Sequence, residues 1–146
     1  MIHFVKGNIF ESKAEALVNA VNTVGVMGKG IALEFKNQYP ENYKMYKAAC
    51  DKGTFKTGSV LVVVESDGKT IINFPTKAHW KDASKFEYIQ EGLIALRHKI
   101  TELNLASIAL PALGCGLGGL KWEIVKEAIT VELGSSYAEI YVYEPQ

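Results

Sequence analysis

The chain has 146 residues, 48% of them hydrophobic and 22% charged. That length suffices for one domain with a real core and is too short for two ordinary ones. Sixteen Lys and Arg balance sixteen Asp and Glu, which excludes a broad electrostatic footprint on nucleic acid but leaves room for a local basic site. No apolar run approaches membrane-spanning length. The opening Met1-Ile-His-Phe-Val5 begins a strand rather than a signal peptide. Cys50 and Cys115 form no metal-type pair, so a reduced, cytoplasmic protein without a metal is expected.

Strands and helices alternate along the chain. Ile2–Val5 reads as a short strand and the Val-rich Ala16–Asn22 as a buried one. Ile31–Tyr39 has helical character and stops before Pro40, and Glu41–Lys52 reads as a second helix closed by Gly53. Ser59–Val64 and Thr70–Pro75 flank Asp67-Gly68, a hairpin signal. Lys85–Leu103 is the best helix, with Phe86, Ile89, Leu93, Leu96, Ile100 and Leu103 on one stripe. Ser107–Pro111 is another buried strand, Glu123–Leu133 a helix, and Glu139–Tyr143 a last strand. The order predicts an α/β fold, a three-layer α/β/α sandwich whose central sheet is mixed because of the hairpin, with residues 1–146 as one domain.

Two glycine-rich turns carry the functional signal. Asn19-Ala-Val-Asn-Thr-Val-Gly-Val-Met-Gly-Lys-Gly30 leaves the second strand for a helix, and Leu113-Gly-Cys-Gly-Leu-Gly-Gly-Leu120 follows a later strand. Turns of this kind let backbone N–H groups approach an anion, so the pair suggests one diphosphate held between them. Gly25–Gly30 is not a P-loop, because Gly30 stands where a Mg²⁺-binding Ser or Thr is required. Gly114, Gly116 and Gly119 match a dinucleotide fingerprint, but too little chain follows for a second half. Of Asn19 and Asn22, one is expected to cap a turn and the other to meet ribose hydroxyls.

Lys77 ends the stretch Asn73-Phe-Pro-Thr-Lys77. A lysine at a strand end can reach into a cleft with its amine partly desolvated, which favours the nucleophilic form. His79 is an acid/base or hydrogen-bonding candidate, and Lys77, Lys81 and Lys85 with His79 could make a small basic rim for DNA phosphates. Trp80 reads as packing rather than as a base-stacking ring. Cys115 reads as a small residue tolerated in a tight turn. Glu34, Glu87 and Glu123 read as solvated helix residues, and His3, His79 and His98 are too scattered for a metal.

Gly7-Asn-Ile-Phe10, Ala16–Asn22, Gly25–Gly30 and Leu110–Leu120 together resemble the macrodomain family, whose members bind ADP-ribose. Within it, Val18–Lys36, Gln38–Lys44 and Asn73–Lys81 resemble the DarG branch, antitoxins that remove ADP-ribose from thymidine bases in DNA and so reverse a DarT toxin. The resemblance implies a DNA ADP-ribosyl glycohydrolase acting on ADP-ribosylated single-stranded DNA and paired with a DarT-type toxin, with no cofactor and a monomer expected; the alternatives are a module that binds ADP-ribose without cleaving it, or a hydrolase of protein-linked ADP-ribose or small ADP-ribose derivatives. It places Lys77 on the catalytic lysine. It implies that Asn8, Ile9, Asn19, Asn22, Val24, Val26, Met27, Gly28, Gly30, Thr76, Leu113, Gly114, Cys115, Gly116, Leu117 and Gly118 bind the substrate, with the two loops on its diphosphate and distal ribose. Asn8 stands where many macrodomains have an Asp that reads the adenine amino group. Gly118 stands where the related terminal ADP-ribose–protein glycohydrolases carry a catalytic Asp, so a Lys/Asp pair is not expected. His79 and Lys81 remain as acid/base or DNA contacts.

Overall fold

The computed structural model describes residues 1–146. Its strands are β1 (Ile2–Val5), β2 (Ala16–Val21), β3 (Leu61–Val64), β4 (Thr70–Pro75), β5 (Ser107–Leu110) and β6 (Glu139–Tyr143), in the sheet order β1-β6-β5-β2-β4-β3. All neighbours are parallel except β3 and β4, the hairpin pair. Four helices complete the chain: α1 (Gly30–Gln38), α2 (Pro40–Asp51), α3 (Phe86–Glu102) and α4 (Trp122–Leu133). No helix is long and apolar enough to cross a membrane.

Side chains alternate across a strand, and that alternation sets the layers. Ala16, Val18, Ile72 and Phe74 join the core beneath α3 and α4. Leu17 and Ile71 face the other way, with Phe35 and Tyr39 from the α1–α2 side. The three-layer sandwich expected from the sequence is the fold observed. On α3 the expected stripe holds at Ile89, Leu93, Leu96 and Ile100, all buried. Leu103 is a correction: it lies one residue past the helix and is 42% exposed. Gly92 on the same helix has a packing reason, since a Cβ there would sit 2.3 Å from the buried Phe74 ring.

The α1–α2 face contains a polar cluster. Asn42 and Asn73 exchange side-chain hydrogen bonds of 2.8 and 3.0 Å, pinning α2 to β4. Tyr39, which precedes α2, provides no side-chain cap. The buried Glu65 carboxylate supplies one instead, accepting the backbone N–H of Asn42 in the helix's first turn.

The chain crosses from one half of the sheet to the other between β2 and β5. β2 continues through α1 and α2 to the β3–β4 side, and β5 continues through α4 to β6. Ligands of open α/β sheets bind outside such a switch point, at the carboxyl ends of the strands.

Candidate functional site

Three segments meet at that edge: loop 1 (residues 22–29, after β2), the residues after β4 (76–85), and loop 2 (residues 111–121, after β5). They are tied to one another by backbone bonds. Thr76 donates its N–H to the Val21 carbonyl at 2.9 Å. Thr23 donates both its N–H (3.1 Å) and its hydroxyl (2.7 Å) to the Ala78 carbonyl. Ser84 donates its N–H to the Gly118 carbonyl at 3.0 Å. The post-β4 segment is thus fastened to loop 1 at one end and loop 2 at the other.

Loop 1 is organised by Asn22. Its Oδ1 accepts the N–H groups of Val24 (3.1 Å) and Val26 (3.3 Å) and the Tyr46 hydroxyl (2.8 Å), while its Nδ2 donates to the Val26 carbonyl at 2.8 Å. Three donors fill the amide oxygen, so one N–H is all that Asn22 retains for a ligand. Met27 anchors the loop from below, buried with Val21, Tyr46 and Phe55. Val24 and Val26 are exposed, as are Gly28 and Gly30. Lys29, at the N-cap of α1, makes no side-chain cap, and the first hydrogen bond into the helix is Leu33 N–H to Lys29 C=O. The preceding N–H groups of the helix are therefore open to an anion.

Asn19 needs correction. The expectation gave one asparagine a structural role and the other a ligand role. Asn19 is wholly buried, with Nδ2 3.5 Å from Asn73 Oδ1 and 3.9 Å from Met27 Sδ, and its own Oδ1 unpartnered. It lies beneath the loop, in the amide cluster with Asn73, and cannot reach a ribose. Asn22 takes the turn-capping role instead, with one N–H left over. Ile9, Met27, Thr76 and Leu113 are also buried, so only their backbones are available to a ligand. Asn8 spends a lone pair of its Oδ1 on the Phe10 N–H at 2.9 Å, capping a short 3-10 turn, Ile9–Glu11. Its Nδ2 and the second lone pair remain.

Loop 2 contains a second 3-10 turn, Gly116–Gly118, between β5 and α4. Gly116 has φ +69° and Leu117 is 73% exposed. Gly114 and Gly118 are buried. A side chain at Gly118 would meet Ser84: a Cβ there would lie 2.4 Å from Ser84 Oγ and 3.1 Å from Ser84 Cβ. The glycine at this position therefore follows from Ser84, a residue that the sequence reading passed over. Ser84 Oγ is itself buried without a hydrogen-bond partner. Cys115 packs partly buried against the main core, and burial pushes its thiol upward, with Glu123 adding to the effect. That holds the sulfur protonated, as expected for a packing residue rather than a nucleophile.

Lys77 is partly buried at the carboxyl end of β4, and its Nζ lies 3.5 Å from the Trp80 carbonyl on the solvent side. The amine stands at the rim of the cleft. His79 Nδ1 accepts the Lys81 N–H at 3.1 Å, which leaves Nε2 as the ring's free position. Trp80 is a further correction. Its indole is 49% exposed, not packed, with Lys81 Nζ 5.3 Å from the ring centre and the His79 ring 5.4 Å away. Lys77, Lys81 and Lys85 take no part in the protein's ion pairs. Glu34, Glu87 and Glu123 are exposed, as expected. No three His, Cys, Asp or Glu side chains are grouped to hold a metal, and both cysteines are free.

A family model described as Macro domain matches residues 18–129. The chain belongs to the Macro domain family. This macrodomain is 49% identical over 149 residues to a Thermus aquaticus protein named DNA ADP-ribosyl glycohydrolase, an alignment that takes in 99% of the chain and 41% of that protein. The chain thus spans about two fifths of the length of this curated relative. The solved macrodomain of Mycobacterium tuberculosis DarG superposes with a TM-score of 0.97 at 46% identity, covering 100% of this chain and 99% of that one. The solved Thermosipho africanus DarTG in complex with ADP-ribose superposes with a TM-score of 0.92 at 35% identity, covering 99% of this chain and 41% of that one.

Proposed function

We propose that this macrodomain is a glycohydrolase that binds ADP-ribose and removes it from thymidine bases of single-stranded DNA, acting as the antitoxin to a DarT-type DNA ADP-ribosyltransferase. The observation that carries the reading is the placement of Lys77: the only lysine at the carboxyl end of a central strand, it is held beside loop 1 by the paired Thr23–Ala78 hydrogen bonds. A module that merely holds ADP-ribose needs the two glycine loops and no amine at this point. The name of the Thermus aquaticus relative and the ADP-ribose in the DarTG structure support the same reading.

In this reading the open N–H groups at the start of α1 and the Gly116–Gly118 turn hold the diphosphate. Binding energy far from the reacting carbon then positions the distal ribose. The remaining N–H of Asn22 points the ribose and base toward Lys77, and Asn8 meets the adenine. The bond cleaved joins ribose C1″ to a thymine nitrogen. Its electron pair leaves with the base, the base gains a proton, and water supplies the hydroxyl at C1″. Lys77 acts either as a nucleophile, through an imine with the opened ribose that water then resolves, or as a cation that stabilises the departing base. Borohydride separates the two routes, because only the first leaves ADP-ribose reduced onto Lys77. We place the protein in the cytoplasm as a monomer, with residues 1–146 forming one domain.

The test is a set of parallel assays on ADP-ribosylated single-stranded DNA, ADP-ribosylated protein, and small ADP-ribose esters. Release from DNA at a rate well above the other two is expected. Release from protein or esters alone would move the activity to another substrate, and tight ADP-ribose binding with no release from any would make the domain a reader.

A further inference from the structure

The zero net charge leaves open how a small domain would hold a DNA strand while it acts on one nucleotide. The turn after Lys77 suggests a means. Trp80 is one of two tryptophans. The other, Trp122, is partly buried and spends its indole N–H on Glu144. Trp80 by contrast presents about half of its surface to solvent, and its indole N–H has no partner in the protein. An exposed tryptophan forfeits the burial that normally places the residue, so its location calls for a use.

The ring is not on a loose tip. Asp82 donates its N–H to the His79 carbonyl at 3.0 Å, closing a turn over residues 79–82. Lys81 N–H is fixed on His79 Nδ1. The segment is fastened to loop 1 through Ala78 and to loop 2 through Ser84. The Trp80 carbonyl also touches Lys77 Nζ, so the indole is one short turn from the proposed reacting amine. Three lysines without carboxylate partners, Lys77, Lys81 and Lys85, occupy the same segment. An aromatic face flanked by unpaired cations is the arrangement that holds single-stranded nucleic acid, with stacking on the bases and ammonium groups on the phosphates.

We infer that Trp80 stacks on a base neighbouring the ADP-ribosylated thymidine, with Lys81 and Lys85 on the adjoining phosphates, and that this contact distinguishes a DNA substrate from a protein or a small ADP-ribose derivative. The inference rests on the DNA reading above and adds the residue that recognises the strand. The indole takes the base in place of the Lys81 ammonium that now lies over it, and the displaced lysine turns to the phosphate. Because every base has a π face, the contact tolerates sequence and needs no hydrogen-bond readout.

The experiment compares wild type, Trp80→Ala and Trp80→Phe on three substrates: an ADP-ribosylated single-stranded oligonucleotide, the same oligonucleotide with abasic residues flanking the modified thymidine, and ADP-ribosylated thymidine alone. On the full oligonucleotide, Trp80→Ala should raise KM by about tenfold and leave kcat nearly unchanged, with Trp80→Phe keeping most of the wild-type value. On the abasic oligonucleotide and on the nucleoside the three proteins should have the same KM. An unchanged KM for Trp80→Ala on the full oligonucleotide would overturn the stacking role while leaving the glycohydrolase reading intact. An equal loss on the nucleoside would make Trp80 a structural support of the cleft instead. A wild-type protein that releases nothing from any of the three would overturn both readings, and free ADP-ribose binding would then show whether the cleft itself stands.

Discussion

The hydroxyl of Tyr46 on α2 lies 2.8 Å from Oδ1 and 2.9 Å from the backbone carbonyl of Asn22. Through that contact a fully buried side chain of α2 fixes the amide that folds loop 1 over itself. Burial pushes the Tyr46 phenol well above its usual value, so it remains a hydrogen-bond donor throughout the ordinary pH range. Tyr46→Phe keeps the ring against Phe55 (6.1 Å, edge-on) and deletes only the donor. The loss should cost about 1 kcal/mol of stability, read by denaturant unfolding, and should weaken ADP-ribose binding by calorimetry. The sign of the pH effect follows from linkage: above pH 10.0 the unfolded tyrosine releases its proton while the folded one retains it. Wild-type stability therefore falls as pH rises through that value, and Tyr46→Phe should remove this share of the alkaline loss.

Glu65 behaves in the opposite sense from a carboxylate in a salt bridge. Burial, with Glu41 and Asp67 nearby, raises its pKa above the usual 4.5, and the Asn42 N–H offsets part of the rise. The folded protein holds the proton more tightly than the unfolded chain does. Stability is therefore greatest below the unfolded value and falls as pH rises through the raised folded one. A Gln oxygen can accept the same N–H without a buried charge. Glu65→Gln should be at least as stable as wild type at neutral pH and should flatten the slope just above pH 4.5, as measured by urea unfolding across pH.

Ser84 and Gly118 should be energetically coupled. Gly118→Ala forces a methyl against Ser84 Oγ and should cost about 1–3 kcal/mol by overpacking. Ser84→Ala removes a buried hydroxyl that has no partner, so it should be neutral or slightly stabilising. The double variant should recover most of the Gly118→Ala loss, because the 2.4 Å contact is gone and only the 3.1 Å approach to Cβ remains. A double-mutant cycle on unfolding free energies measures the coupling.

Most of the fold was legible because local signals agree with the layers. Ala16–Val21 and Thr70–Pro75 lie within or at the stretches read as strands, and Asp67-Gly68 made the one antiparallel pair. Leu103 was misplaced because a helical stripe carries no mark of where the helix ends. In the site, the two glycine loops and Lys77 could be found by their positions after strands. Asn19 could not be placed from local spacing, since the buried side chain it faces, Asn73, belongs to a different strand far along the chain. Tyr46 looked like one more aromatic of an amphipathic helix, and Ser84 like a loop serine. Their importance lies in contacts with loops 1 and 2 that no spacing rule encodes. Trp80 reads as packing because tryptophan usually packs, whereas in the fold about half of it is exposed.

The most direct measurement is Lys77→Ala assayed on ADP-ribosylated single-stranded DNA alongside free ADP-ribose binding. The two loops do not depend on this side chain, so ADP-ribose affinity should stay close to wild type. Release of ADP-ribose from the DNA should be abolished. A Lys77→Ala protein that binds ADP-ribose and releases it from DNA at near wild-type rate would contradict the assignment of the chemistry to this lysine.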